Sequence, residues 1–271
     1  MEFRKIIRKL KAKARIPLSN RELSERYIET QINVIQKYIY KSDFIKIFLL
    51  DGGQIIVRPY PSSDLLVLKQ VLQDQEYFSI VNFYKINYPE KNLKIIDGGA
   101  NIGLTSYYFA SNFKDCEIIV VEPDESNFNL MLKNLKNVDK NNFYFLKNAL
   151  MNKSGLSILI KDNFRDCKDW AKATEVTEKL TDLKSISINE IILTYSWDRI
   201  DLLKIDIEGA ERFLFNKESE TTFLNITNAI IIEIHDEFNC RELIYKKLLE
   251  NNFILFNFGE STIGIKNCKF I

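Results

Sequence analysis

Between Leu93 and Ala110 the chain passes from a β-branched apolar run, Leu93-Lys94-Ile95-Ile96, through Asp97-Gly98-Gly99-Ala100-Asn101-Ile102-Gly103. Apolar residues at helical spacing follow: Leu104, Tyr107, Tyr108 and Ala110. This order predicts a strand, a tight turn and a helix. Such a turn suits a ligand. Glycines let the backbone take positive φ and approach a bound group, and the first N–H groups of the new helix offer donors and partial positive charge. The spacing is not that of a dinucleotide site. A G-x-G-x-x-G fingerprint starting at Gly98 needs a second glycine where Ala100 stands, and Asp97 sets a carboxylate where a pyrophosphate would approach. NAD and ATP are disfavoured on both counts.

Downstream, strand and helix patterns alternate, which calls for a doubly wound, Rossmann-like α/β domain with a mostly parallel sheet and right-handed crossovers. A strand over Glu117–Val121 ends at Glu122-Pro123, a helix spans 125–136, and a third strand, Phe143–Lys147, is closed by Asn148-Ala149-Leu150. Glu122 lies 19 positions after Gly103, where doubly wound folds place an acid on ribose hydroxyls. An extra strand or hairpin is expected over Gly155–Lys161. Residues 162–184 are polar and poorly periodic, and read as a long loop or insert shaping a substrate pocket. Then come a strand Ile200–Ile205 ending at Asp206, a strand Ala229–Ile234 ending at His235, a helix Arg241–Asn251, and an antiparallel edge pair, Phe253–Phe258 and Thr262–Lys266.

Ahead of this domain, assigned to 91–271, residues 1–90 read as a helical and β-hairpin extension serving as lid or support. Residues 1–16 form an expected basic amphipathic helix. Phe3, Ile6, Ile7 and Leu10 share one face, and Arg4, Lys5, Arg8, Lys9, Lys11 and Lys13 lie mostly on the other. Its stripe is expected to pack on the body, and the basic face also suits peripheral contact with an anionic membrane. A helix is expected from Asn20 to about Tyr40. A hairpin follows, Phe44–Leu50 and Gln54–Arg58 around Asp51-Gly52-Gly53, ended by Pro59 and Pro61. A helix from Ser62-Ser63-Asp64 through Leu65, Leu68, Val71 and Leu72 then delivers Glu76 and Tyr77.

Charge excludes a class of partner. Thirty-eight Lys and Arg nearly cancel 37 Asp and Glu, so no global field recommends nucleic acid. Cys116, Cys167, Cys240 and Cys268 lack C-x-x-C spacing and read as reduced thiols. No apolar run approaches the roughly 20 residues that span a bilayer. A cytoplasmic protein is expected.

A second constellation sharpens the reading. Asp201-Leu202-Leu203-Lys204-Ile205-Asp206-Ile207-Glu208-Gly209-Ala210-Glu211 resembles the L-K-I-D-x-E-G-x-E signature of the FkbM family of class I S-adenosylmethionine methyltransferases. Ser63-Asp64 with Glu76-Tyr77, Asp97 to Gly103, Asn148-Ala149 and Ile232-Glu233-Ile234-His235 resemble further family motifs, so the similarity covers about residues 55 to 260. The first 45 residues and the 162–184 insert match nothing in the family. The resemblance implies a seven-stranded sheet, S-adenosylmethionine as cofactor, and methyl transfer to a hydroxyl of a sugar, glycan or small natural product. It also implies cofactor contacts from Glu76, Tyr77, Asp97, Gly98, Gly99, Asn101, Gly103, Glu122, Pro123, Asn148, Ala149 and Asp206, with the glycine turn along the methionine moiety and Asp97 serving its ammonium group. A methyltransferase of flipped nucleobases is expected to carry N-P-P-Y or D-P-P-Y after its fourth strand, where Asp206-Ile207-Glu208-Gly209 stands instead.

Methyl transfer to a hydroxyl needs positioning, worth up to roughly 7–11 kcal/mol, and a proton acceptor. His235, the one histidine of the chain, is expected at a strand's C-terminal end and is the candidate base, with Asp206 orienting it and Glu208 holding the acceptor. Glu211 is expected either to join this rim or to cap the helix start, and Glu233 is expected to point elsewhere. Asp206, Glu208 and His235 also suit a hard divalent cation, a role not favoured over hydrogen bonding to the acceptor.

Overall fold

A computed structural model describes residues 17–89, 92–113, 115–136, 138, 142–161 and 173–267. The expected basic helix of residues 1–16, most of the first half of the 162–184 insert, Cys167 and Cys268 lie outside the described residues. Two compact units divide the chain at Glu76/Tyr77.

In the first unit, helix α1 (Asn20–Gln31) opens on a capping box. Ser19 Oγ accepts the Glu22 N–H at 3.3 Å, and Glu22 Oε2 accepts the Ser19 N–H at 2.9 Å. The helix stops at Gln31, well short of Tyr40, because Ile35–Tyr40 is strand β1. It pairs antiparallel with β2 (Ile45–Leu49), which pairs with β3 (Gln54–Val57). A hairpin alone is marginal in water, and β1 supplies the third strand. Alternation sends Ile45, Ile47, Leu49, Ile55 and Val57 inward. The Arg58 guanidinium then pairs at 2.7 Å with Asp64, at the start of helix α2 (Asp64–Leu68), which widens into a further turn over Lys69–Gln73.

The second unit begins with a helix the sequence reading did not separate, α3 (Phe78–Asn87). Its Tyr84 hydroxyl donates to the Asp201 carbonyl, which ties the helix to the central sheet. Strand β4 (Leu93–Gly98) leads to helix α4 (Leu104–Asn112), β5 (Cys116–Val121), α5 (Glu125–Leu135) and β6 (Asn142–Leu146). The middle of the unit holds four short elements. Strand β7 (Asn148–Leu150) pairs parallel with β10 (Lys184–Ile186), and β8 (Ile158–Lys161) pairs antiparallel with β9 (Ala173–Val176), so the insert contributes strands rather than only a loop. Helix α6 (Ile188–Tyr195) precedes β11 (Ile200–Ile205), and the one-turn helix α7 (Glu211–Leu214) precedes β12 (Thr227–Glu233). Helix α8 (Arg241–Glu250), β13 (Phe253–Phe258) and β14 (Ser261–Lys266) complete it.

Seven strands form one sheet in the order β13-β14-β12-β11-β4-β5-β6, with β14 antiparallel to both neighbours and the rest parallel. This is the seven-stranded arrangement the resemblance implied. Its central strands are buried on both faces, as the near-continuous runs Ile118–Val121 and Leu202–Ile205 require. Asp201 stitches the centre from one end: its carboxylate accepts the Lys94 N–H at 2.9 Å, the Arg199 Nε–H at 3.0 Å and the Asn228 amide at 3.0 Å. From β4 the chain winds outward to β5 and β6, and later returns at β11 to wind the other way. The strand order therefore reverses between β4 and β11, the place where open α/β sheets bind ligands. Among the described residues no helix is long and apolar enough to cross a membrane.

Candidate active site

The turn after β4 is fitted against the end of β11. Asp206 N–H donates to the Gly98 carbonyl at 3.0 Å, and a Cβ on Gly99 would lie 1.7 Å from the Asp206 carbonyl oxygen. With Gly99 at φ +77°, the position admits glycine alone. Asn101 also takes a left-handed backbone, at φ +50°. Its N–H donates to Glu122 Oε2 at 2.8 Å, while Glu122 Oε1 accepts the Asp124 N–H at 2.9 Å. Burial pushes the Glu122 carboxyl up to about 7 in spite of these hydrogen bonds. The side-chain oxygen of Asn101 is buried and has no hydrogen-bond partner among the described residues.

Beneath the turn lies a charge cluster built by register. Lys204 on β11 is paired with Asp97 on β4, and Asp206, two residues on, projects from the same face as Lys204. The Lys204 ammonium lies 3.3 Å from Asp97 Oδ1 and 3.4 Å from Asp206 Oδ2, and donates to the Gly99 carbonyl at 2.8 Å. Burial alone would push this ammonium down, but Asp97 and Asp206 more than offset that and hold it above the ordinary lysine value. Asp97 is fully buried and also accepts the Ser106 hydroxyl at 2.6 Å. Its carboxylate thus meets Ser106 through one oxygen and Lys204 through the other. Tyr77, 6 % exposed, comes near enough to Lys204 to act on its charge.

A second cluster stands at the ends of β11 and β12. Glu208 and Gly209 both have positive φ, +51° and +87°, and Gly209 is needed because a Cβ there would meet the Phe238 ring at 2.1 Å. His235 Nδ1 lies 2.7 Å from Glu211 Oε1, which also accepts the His235 backbone N–H at 2.9 Å. Its Nε2 lies 3.3 Å from Glu208 Oε2 and 3.7 Å from Glu233 Oε1. Burial would push the imidazole down, but hydrogen bonds from Glu208 and Glu211 raise it to about 10. These carboxylates keep the ring protonated at neutral pH, which is not the form expected of the candidate base. Of the two places expected for Glu211, it takes the one beside His235, and no side-chain cap hydrogen bond is made at the helix start. Glu233, expected to point away, faces the same cluster, since residues two apart on a strand share a face. Burial, with Asp206 as the largest charge contribution, lifts the Glu233 carboxyl to about 8.

The methyltransferase FkbM domain matches residues 97–255 of the chain. The chain belongs to the FkbM methyltransferase family. Methyl transfer is its class of reaction, and the sheet is that of S-adenosylmethionine-dependent methyltransferases. No curated protein matches the sequence significantly. Among solved structures, the SAM-dependent methyltransferase of Agrobacterium tumefaciens is similar at 9 % identity, with 83 % of this chain and 70 % of that one covered and a TM-score of 0.45. The precorrin-6y C5,15-methyltransferase of Geobacter metallireducens is similar at 11 % identity, with 73 % and 92 % covered and a TM-score of 0.42.

In this FkbM methyltransferase the structure gathers Asp97, Gly98, Gly99, Asn101, Gly103, Glu122 and Pro123 about one turn, and Asp206, Glu208 and His235 about one rim. Gly103 opens α4 at φ +83°. Ala149 is buried in a small apolar cluster with Met151, Ile158 and Ala210, and the Asn148 amide donates to the Lys184 carbonyl at 3.0 Å. Glu76 belongs to the first unit. Lys204 and Glu233 are the functional candidates that the sequence reading left without a site role. A lysine inside the buried run Leu202–Ile205 is the signal that marks the first of them.

Proposed function

We propose that the protein uses S-adenosylmethionine to methylate a hydroxyl oxygen of a sugar, glycan or other small natural product. What supports this most is the rim beside the glycine turn: Asp206, Glu208 and His235 present ligand atoms within 4.8 Å of one another, a set made for hydrogen-bonding hydroxyls and receiving a proton. The cofactor cradle fits as well. Asn101 Oδ1 and the Glu122 carboxylate are acceptors suited to a ligand rich in N–H and O–H groups, and Gly99 leaves its path clear. Asp97, Gly98, Gly99, Asn101, Gly103, Glu122, Pro123 and Asp206 would hold it, with Tyr77, Asn148 and Ala149 beside them. When bound, S-adenosylmethionine supplies a methyl group activated by a sulfonium leaving group.

The chain's own residues have two tasks. Lys204 fixes the Gly98-Gly99 backbone through two carbonyls, so the cradle is formed before the ligand arrives. Asp206, Glu208 and His235 hold the acceptor oxygen, and the carboxylates are the groups able to receive its proton, a contribution of about 100- to 10,000-fold in rate. Glu211, through Nδ1, keeps the ring oriented toward Glu208. The test is transfer of an isotope-labelled methyl group to a panel of glycans and lipid-linked sugars, with RNA and protein included, read by NMR. An O-methyl signal on a sugar is the expected outcome, and transfer to a nitrogen of RNA or protein would overturn the reading.

A further inference from the structure

We propose that Asp206, Glu208 and His235 form a divalent-cation site on the rim of the cradle. Each offers one ligand atom, and all lie within 4.8 Å of one another. Donor atoms held about 2.1–2.6 Å from a common cation sit about 3–5 Å apart, so the cluster already has the spacing one shared ion imposes. His235 Nε2 is 3.3 Å from Glu208 Oε2, close to the separation of adjacent corners of a coordination octahedron.

The histidine is prepared for this role from behind. Glu211, fully buried, places Oε1 2.7 Å from Nδ1 and accepts the backbone N–H of the same residue at 2.9 Å. An ionised Glu211 accepts from Nδ1, against which the Gly209 N–H also lies at 3.2 Å, and Nε2 is the atom turned toward Glu208. A ligating imidazole whose far nitrogen donates to a buried carboxylate is the arrangement that orients histidines on metals. His235 is 1 % exposed, so its ring has little freedom to leave that orientation.

Charge agrees. Two carboxylates and one neutral imidazole carry two negative charges, which match a divalent cation. Lys204 lies against Asp206 Oδ2 and against Asp97 Oδ1, so its single charge is shared between these two carboxylates. Glu233 Oε1, 3.7 Å from Nε2, stands by as a fourth donor. A set of one nitrogen and two oxygens suits Mn²⁺ or a cation of similar hardness better than Mg²⁺, which prefers oxygen alone. The open coordination positions would take acceptor hydroxyls; that assignment rests on the O-methylation reading, whereas the binding of the ion does not.

The experiment titrates the full-length, EDTA-treated and dialysed protein with Mn²⁺ alone. Bound ion is read from loss of the free Mn²⁺ electron paramagnetic resonance signal, and S-adenosylhomocysteine binding is followed in parallel by calorimetry. One ion per chain is expected. Asp206→Asn and Glu208→Gln should each weaken it by about tenfold or more, and Glu211→Gln, which touches only the histidine, by about 10- to 100-fold. A cooperative melt and retained S-adenosylhomocysteine binding in Glu208→Gln establish that the variant is folded. Absence of Mn²⁺ binding at millimolar ion, or equal binding in wild type, Asp206→Asn and Glu208→Gln, overturns the site. S-adenosylhomocysteine binding without Mn²⁺ binding overturns the cation and leaves the methyltransferase reading standing. Mn²⁺ binding with methyl transfer only to nitrogen supports the cation and overturns the hydroxyl acceptor.

Discussion

Replacing Lys204 by methionine removes one ammonium and keeps most of the side-chain volume. That ammonium is 3 % exposed, 3.3 Å from Asp97 Oδ1 and 3.4 Å from Asp206 Oδ2, and it donates to the Gly99 carbonyl at 2.8 Å. Without it Asp97, fully buried, keeps only the Ser106 hydroxyl. Breaking a buried pair from one side costs about 3–5 kcal/mol, because the remaining charge is stranded in a medium that solvates it poorly. A domain of roughly 200 residues loses about 2–4 °C of melting temperature per kcal/mol, so a drop of about 6–20 °C is expected. Trp197 sits in the apolar core of the second unit, so its fluorescence in a Trp170→Phe background follows that unit alone. Asp97→Asn should lessen the damage, since it neutralises the stranded partner. The double variant Lys204→Met/Asp97→Asn should therefore lose less than the sum of the single losses by about 1 kcal/mol or more. Strict additivity, or a loss below about 1 kcal/mol from Lys204→Met alone, refutes the claim that Lys204 neutralises the floor of the cradle.

Glu122 should impose a pH dependence on cofactor affinity. Its carboxyl is raised to about 7, so below that pH the free site holds a proton that must leave before ribose hydroxyls can donate to the carboxylate. Affinity for S-adenosylhomocysteine should fall by up to about tenfold per pH unit below 7 and level off above it, and Glu122→Gln should give a flat profile by calorimetry. Gly99→Ala should abolish cofactor binding, because its Cβ would lie 1.7 Å from the Asp206 carbonyl oxygen; a variant that binds normally would show that the turn can open without cost. In the first unit, Ser19→Ala removes the side-chain half of a capping box and should cost about 0.5–2 kcal/mol, seen as faster hydrogen exchange along Asn20–Gln31. Unchanged exchange there would mean the cap contributes nothing.

The elements that were readable from sequence share a physical feature: their pattern has one solution. Leu93 to Ala110 changes from a β-branched run to helical spacing across three glycines, and strand ends at Asp206 and near His235 follow buried apolar runs. Where the sequence misled, two periods competed or the decision lay elsewhere in the chain. Ile32, Ile35 and Tyr38 fit helical spacing, yet Tyr38 pairs with Ile47 of β2, and the sheet rather than the local pattern decides. Lys184-Ser185-Ile186 is too short to show a period and becomes a strand because Asn148-Ala149-Leu150 offers a parallel partner. Lys204 could be seen as a charge in a buried run, but its neutralisation depends on the register that brings Asp97 beside it. The environment of His235 comes from Glu208 and Glu211 on another element, so its charge state was beyond local reading.

The most direct measurement is calorimetric titration of S-adenosylhomocysteine into the wild-type protein, Glu122→Ala and Gly99→Ala, with a cooperative melt recorded for each. One site in the wild type and a large loss of affinity in both folded variants are the predicted result, since both residues shape the cradle between β4 and β5. Undiminished affinity in both would place the cofactor elsewhere and contradict the account.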